Sequence, residues 1–294
     1  MFEAFLVFAV FAFGLIIGSF LNVVLYRLAA SQGLESSLSS LPKSGTRLKT
    51  HDRRFIDTSP FRGRSACPLC GHRLSWKDLV PLVSFFWLKG KCCYCNGPIS
   101  WQYPLVEFAT GLFFVAALFI LPCLPCSEQG FARLVYVWAV GAFLIAIFVY
   151  DLKHYLIPDK LLYSAIGLAF LWRIFEQFGF GFWVSMSLIQ AVLAGLGACA
   201  FFFAIHFFSR GRAMGFGDVK LAFFMGLFLG WPSILVALFF AFLLGAVVGV
   251  FLMVAGRKGW KSEVPFGPFL ILGTATAFFW GQEIFYWYLN LLVV

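Results

Sequence analysis

The sequence predicts an all-α polytopic membrane protein with about eight transmembrane helices and a small cytoplasmic tetra-Cys metal-binding module between the first and second. Three features of the chain argue for it. Of 294 residues, 62% are hydrophobic and 12% charged, roughly half the charged share of a soluble domain. The apolar residues gather in runs close to the ~20 residues that cross a ~30 Å hydrocarbon layer. Cations and paired cysteines fall between those runs, not within them.

The apolar spans read as 4–26, 104–122, 132–150, 160–177, 183–208, 219–231, 232–255 and 267–292. The stretch 219–255 is too long for one crossing, and Gly230-Trp231-Pro232 offers the break. Eight crossings put 27–103, 151–159, 209–218 and 256–266 on one side. All but Arg133 and Arg173 of the 22 Lys and Arg then lie within or beside those segments, which marks that side as cytoplasmic. Seven crossings would move Arg257, Lys258 and Lys261 outside. Residues 1–26 lack a basic n-region and a small-x-small cleavage site, so they read as a retained first helix with its N-terminus outside. With eight crossings the C-terminus is outside too.

This divides the chain into a first transmembrane helix at 1–26, a cytoplasmic loop at 27–103 and a membrane-embedded domain at 104–294. The loop is Ser-, Gly- and Lys-rich from Ala29 to about Pro60 and reads as a loosely ordered connection. From Phe61 to Trp101 it carries aromatics and turn residues but is too small to hold a core unaided. The net charge of +9 is distributed as membrane-topology signals, not as a basic stripe with stacking aromatics, which argues against nucleic-acid binding. The partner implied by composition is membrane lipid.

Cys67-Pro-Leu-Cys70 and Cys92-Cys93-Tyr94-Cys95 form two CxxC knuckles, with Cys92 and Cys95 as the second pair. Four thiolates so placed surround a tetrahedral ion, with no coordination position left open, so the metal reads as structural zinc. Gly71 and Gly97 are expected to help each knuckle turn back. Cys93, beside the proposed ligands, is an alternative to one of them. Cys123-Leu-Pro-Cys126, in a short outside loop, reads as a structural disulfide or two free thiols, and Cys199 as a packing residue.

Acidic residues near membrane depth need a reason, and four sit at span ends: Glu107, Asp151, Asp159 and Asp218. Asp151 closes Val149-Tyr150-Asp151, and Asp218 follows Gly215-Phe216-Gly217. Gly215 and Gly217 leave room there for a backbone or a substrate strand. Two carboxylates brought together share a proton, so one activates water while the other protonates a departing amine. A cap or an ion pair with Lys153 or Lys220 explains each Asp equally well from local sequence. Tyr-Asp on one span with Gly-x-Gly-Asp on another turns the balance toward peptide hydrolysis. No Gly-x-Ser-x-Gly or His-Glu-x-x-His pattern offers a rival chemistry, and His206, in an apolar run, reads as a core residue.

These strings together resemble the type IV prepilin peptidases, membrane leader peptidases that also N-methylate. The resemblance runs over nearly the whole chain, through Gly18-Ser19-Phe20-Leu21-Asn22, the double CxxC, Tyr103-Pro104-Leu105-Val106-Glu107, Asp151 with Ile157-Pro158-Asp159, Gly215 to Lys220, and Pro265-Phe266-Gly267-Pro268-Phe269. It implies cleavage of the basic leader of type IV prepilins and type II secretion pseudopilins at the cytoplasmic face of a bacterial inner membrane. Methylation of the new N-terminus with S-adenosylmethionine would follow. By carry-over Asp151 and Asp218 are catalytic, Cys67, Cys70, Cys92 and Cys95 bind metal, and Asp159 and Glu107 support. No glycine-rich nucleotide fingerprint locates S-adenosylmethionine. Two other readings are a presenilin-like intramembrane aspartyl protease, against which the double CxxC speaks, and a transporter or scaffold, which would place its carboxylates near mid-bilayer. Lys153, Arg210, Arg212 and Lys220 are expected to attract an acidic group in the substrate.

Overall fold

The computed structural model describes residues 2–34, 65–121, 128–180, 187–212, 214–256 and 264–292. Among them the only β pairing is two isolated bridges; the rest is helix and turn. Cys123, Cys126, Arg257, Lys258, Lys261 and most of the Ala29–Pro60 connection lie outside the described residues. The chain divides into two compact units, 1–119 and 120–294.

The first unit holds α1 (Phe2–Ser31), a 3-10 turn (Trp76–Leu79), α2 (Val83–Trp87) and α3 (Gln102–Ile120). Its long helices meet through small residues. A Cβ on Gly14 would stand 2.7 Å from Cα of Gly111, and one on Gly18 equally close to Cα of Glu107. Close backbone approach of this kind is how helices associate where lipid removes the hydrophobic drive. α1 runs five residues beyond the expected span end at 26, because Leu28 and Ala29 are buried and continue the helix. The same seam joins α3 to α1 within the first unit.

The second unit holds α4 (Glu128–His154), α5 (Asp159–Phe175), a π turn (Glu176–Phe180), α6 (Leu188–Phe208), α7 (Phe216–Leu229), α8 (Ser233–Val254) and α9 (Gly267–Leu292). The expected break between 219 and 255 is present: α7 ends at Leu229, Gly230 turns at φ +71°, and α8 begins at Ser233. Five helices are long and apolar enough to cross a membrane, α1, α3, α4, α6 and α8. The other three expected spans form α5, α7 and α9. Large apolar side chains such as Phe201, Phe239 and Phe251 point outward from these helices, as in a multi-pass protein solvated by lipid.

α7 is different. It has 14 residues, about 21 Å of helix, and is apolar on every face. A helix of that pattern belongs inside a bundle, and from Val219 to Leu229 nearly all its side chains are buried. α6 packs along it closely enough that a Cβ on Gly226 would collide with Cα of Gly195.

Replacing Gly226 with Val should therefore force the α6–α7 seam apart and cost about 1–3 kcal/mol. Gly167→Ala, on an α5 surface with nothing within 4 Å, should be neutral or stabilising. Thermal unfolding of both variants in detergent checks the contrast.

Candidate active site and metal centre

Asp151 lies in the last turn of α4 and Asp218 in the first turn of α7, both buried, with 4% and 8% of their surface exposed. They are within electrostatic range of each other. Asp218 sits at the N-terminal end of its own helix, and Asp151, at the C-terminal end of α4, lies against the N-terminal end of α9. The Asp151 carboxylate accepts from the backbone of Gly267, the first residue of α9, and packs where a Cβ on that glycine would be. The Asp218 amide donates to the Gly215 carbonyl at 3.2 Å, while its carboxylate accepts from the Gly215 backbone. Free amides and the helix dipole at these ends favour negative charge, which helps hold two carboxylates within range of each other away from bulk water.

The neighbouring lysine is occupied elsewhere. Lys220 Nζ pairs with Asp159 Oδ1 at 2.6 Å and lies over the Tyr163 and Phe216 rings. Asp159, at the start of α5, is 57% exposed on its side chain, so it holds Lys220 at the surface and stands apart from the buried pair. Of the two glycines before Asp218, Gly217 is the crowded one: a Cβ there would press on Ile157 at 3.1 Å. At Gly215 the nearest side-chain atom would be Asp218 Oδ2, at 3.7 Å. His206, expected in the core, is instead half-buried, with Nδ1 2.9 Å from the Met214 carbonyl. Gly267 is the site residue the local reading did not single out. Its string was quoted for resemblance, but its contact with Asp151 spans over a hundred residues and leaves no local signal.

Glu107 belongs to the first unit. Its Oε2 accepts the Leu82 amide at 2.8 Å and its carboxylate is also bonded to Ser19, so it ties α3 to the entry of α2 and to α1.

The four cysteines converge. Cys67, Cys70, Cys92 and Cys95 have all their sulfurs within 4.8 Å of one another. About 3.8 Å is expected around an ion with 2.3 Å metal–sulfur bonds, and Cys67 and Cys95 already stand at 4.0 Å. The two knuckles repeat one hydrogen-bond pattern. Cys67 N donates to His72 O and Gly71 N to Cys67 O, matched by Cys92 N to Gly97 O and Asn96 N to Cys92 O. Gly71 and Asn96 take the left-handed turn in each, at φ +72° and +55°. Gly97, expected as a turn residue, instead leaves room for the Leu69 side chain. Cys93 is exposed and donates to Asp78 Oδ1, away from the cluster. Burial, reinforced by Cys70 and Cys92, pushes the Cys67 thiol up to about 12. Asp78 behaves oppositely: slight desolvation opposes it, but bonds from Ser75 and Tyr94 hold its carboxyl below the usual range. Four thiols in this arrangement fit a bound metal ion.

Two family models match the sequence, the bacterial peptidase A24 N-terminal domain over residues 12–121 and the type IV leader peptidase family over residues 138–250. A prepilin leader peptidase/N-methyltransferase of Aeromonas hydrophila is 34% identical, over 96% of this chain and 93% of its own. Its namesake in Pseudomonas aeruginosa PAO1 is 32% identical, over 94% and 91%. That of Burkholderia pseudomallei 1026b is 31% identical, over 92% and 84%. No solved structure matches.

At the cysteine cluster, wild type and Cys93→Ala should each carry about one ion per chain, and Cys67→Ala or Cys95→Ala very little. Elemental analysis of the purified proteins checks this; metal loss in Cys93→Ala would reassign the ligands.

Proposed function

The chain belongs to the type IV leader peptidase family, and we propose that it removes the basic leader from prepilins and secretion pseudopilins by an aspartyl dyad formed by Asp151 and Asp218. The observation that carries this reading is the pairing of two buried carboxylates at one end of the second unit, with the nearby Lys220 engaged by Asp159. A structural ion pair would have used that lysine.

The chemistry follows from the arrangement. With one proton shared between them, the ionised carboxylate takes a proton from water as the water attacks the scissile carbonyl. The protonated one donates to the leaving amine as the tetrahedral intermediate collapses. The dyad stands at helix ends, where the junction between a basic leader and a membrane-inserted helix would arrive. The distribution of Lys and Arg supports a reading in which this end lies at the cytoplasmic face of the inner membrane, with both termini outside. Domain roles then follow as 1–26 anchor, 27–103 cytoplasmic module and 104–294 peptidase.

Zinc held by Cys67, Cys70, Cys92 and Cys95 would supply folding energy to a segment with little core of its own. Methylation with S-adenosylmethionine is included on the names of the relatives. Among the described residues no strand opens into a glycine-rich turn that would cradle this co-substrate, so methyl transfer adds no step here.

Asp151→Asn and Asp218→Asn should each reduce prepilin cleavage in membranes by about 10²–10⁴-fold, with metal content and thermal unfolding unchanged. Full activity in either variant would return that carboxylate to a capping role. Arg210 and Arg212 are exposed beside the turn into α7. Reversing both charges should slow cleavage most at low ionic strength, as expected of screened attraction; equal turnover at all salt concentrations would remove them from substrate capture.

A further inference from the structure

The end of the second unit opposite the carboxylates contains a cavity of about 330 Å³. Tyr136 on α4 lies some 22 Å along the helix from Asp151 at 1.5 Å per residue. Leu229, another wall residue, ends α7. The cavity therefore sits a membrane-scale distance from the proposed catalytic end. Trp172, Trp231 and Trp280 line it, and tryptophans at helix ends are characteristic of the membrane–water interface.

Two features set this cavity apart from a gap between helices. Tyr136 is 7% exposed, and its hydroxyl finds no hydrogen-bond partner among the described residues. Its ring is fixed by stacking on Trp172, with centroids 4.4 Å apart and planes 6° from parallel, so rotation cannot bring the hydroxyl to water cheaply. A buried hydroxyl left without a partner destabilises the fold. The ionisable wall is also balanced, with the cations Arg133 and Arg173 and the anions Glu176 and Glu283. Arg173 is spent internally: it donates to the carbonyls of Leu227 (3.1 Å) and Phe228 (2.6 Å) and pairs with Glu176 at 2.8 Å. Arg133 and Glu283 are exposed at the rim.

We propose that this cavity binds the headgroup of a zwitterionic phospholipid of the ethanolamine type. The phosphate would take the Tyr136 hydroxyl and Arg133, and the ammonium would lie toward Glu283, since both Glu176 oxygens are engaged by Arg173 and Trp172. A lone anion matches this wall less well, because Glu283 stands on the same lining as Arg133. The acyl chains would run along the exposed apolar helix faces. The inference is independent of the peptidase chemistry.

The test is a sign reversal. Full-length protein, stripped of lipid by detergent exchange, is compared with Tyr136→Phe by thermal unfolding and by native mass spectrometry. The comparison is repeated after adding phosphatidylethanolamine, phosphatidylglycerol or inorganic phosphate. Without lipid, Tyr136→Phe should melt at or above wild type, since it removes an unpartnered hydroxyl. With phosphatidylethanolamine, wild type should gain several degrees and retain the lipid, and the variant should retain it about ten-fold less well, the loss expected for one charge-assisted hydrogen bond. A lipid-free variant that melts below wild type would mean that water or another part of the chain already satisfies the hydroxyl, and the proposal fails. It fails equally if both proteins retain the lipid alike, or if phosphatidylglycerol or inorganic phosphate stabilises as well as phosphatidylethanolamine.

Discussion

The second unit is organised around the enclosure of α7. A helix surrounded by other helices cannot turn its unpaired end groups to water, so each end must find partners inside the protein. At the N-terminal end Gly215 and Asp218 close on one another. At the C-terminal end the Arg173 guanidinium reaches from α5 to the carbonyls of Leu227 and Phe228. An arginine placed there costs less than it would in lipid, because it completes a helix end, meets Glu176 and remains close to the membrane boundary. The carboxylate that closes one end is the one proposed to handle protons. Closing the helix and placing the acid are thus the same structural event.

Each unit is held together internally by its own means. The second relies on helix seams made close by glycine and alanine, such as Gly195 against Gly226 and Gly273 against Ala237. The knuckle segment of the first has few buried side chains, chiefly Cys67, Phe85 and Cys92. Two short hydrogen-bonded loops and a cluster of thiols do the work of a core there, which is the usual solution for a segment too small to bury enough apolar surface. Glu107 fastens that segment to the membrane helices by accepting the Leu82 amide.

Much of this was legible in the sequence, for reasons that differ by element. The break after Leu229 announced itself through Gly230 and Pro232, and the cysteines through their spacing, because both signals are local. Asp151 and Asp218 stood out because charge at span ends is rare. The meeting of Asp151 with Gly267 was not legible, since it depends on how α4 and α9 pack. Arg173 stood in the sequence only as an exception to the inside distribution of cations, and its capping of α7 appears only when α5 and α7 lie side by side. Gly97 was read as a turn residue from its type alone. Asn96 takes the left-handed backbone instead, and Gly97 makes space for Leu69.

Gly267 has a further consequence. The Asp151 carboxylate occupies the volume in which any other residue at 267 would carry its first side-chain atom. The acid is positioned by an absence, so a larger residue at 267 is accommodated only if the Asp151 carboxylate gives up this position. Evolutionary drift at 267 is confined to glycine for as long as Asp151 keeps this rotamer. A chain of this family with a side chain there must have moved its acid, and that single position in an uncharacterised sequence reports whether the carboxylate is held in this way.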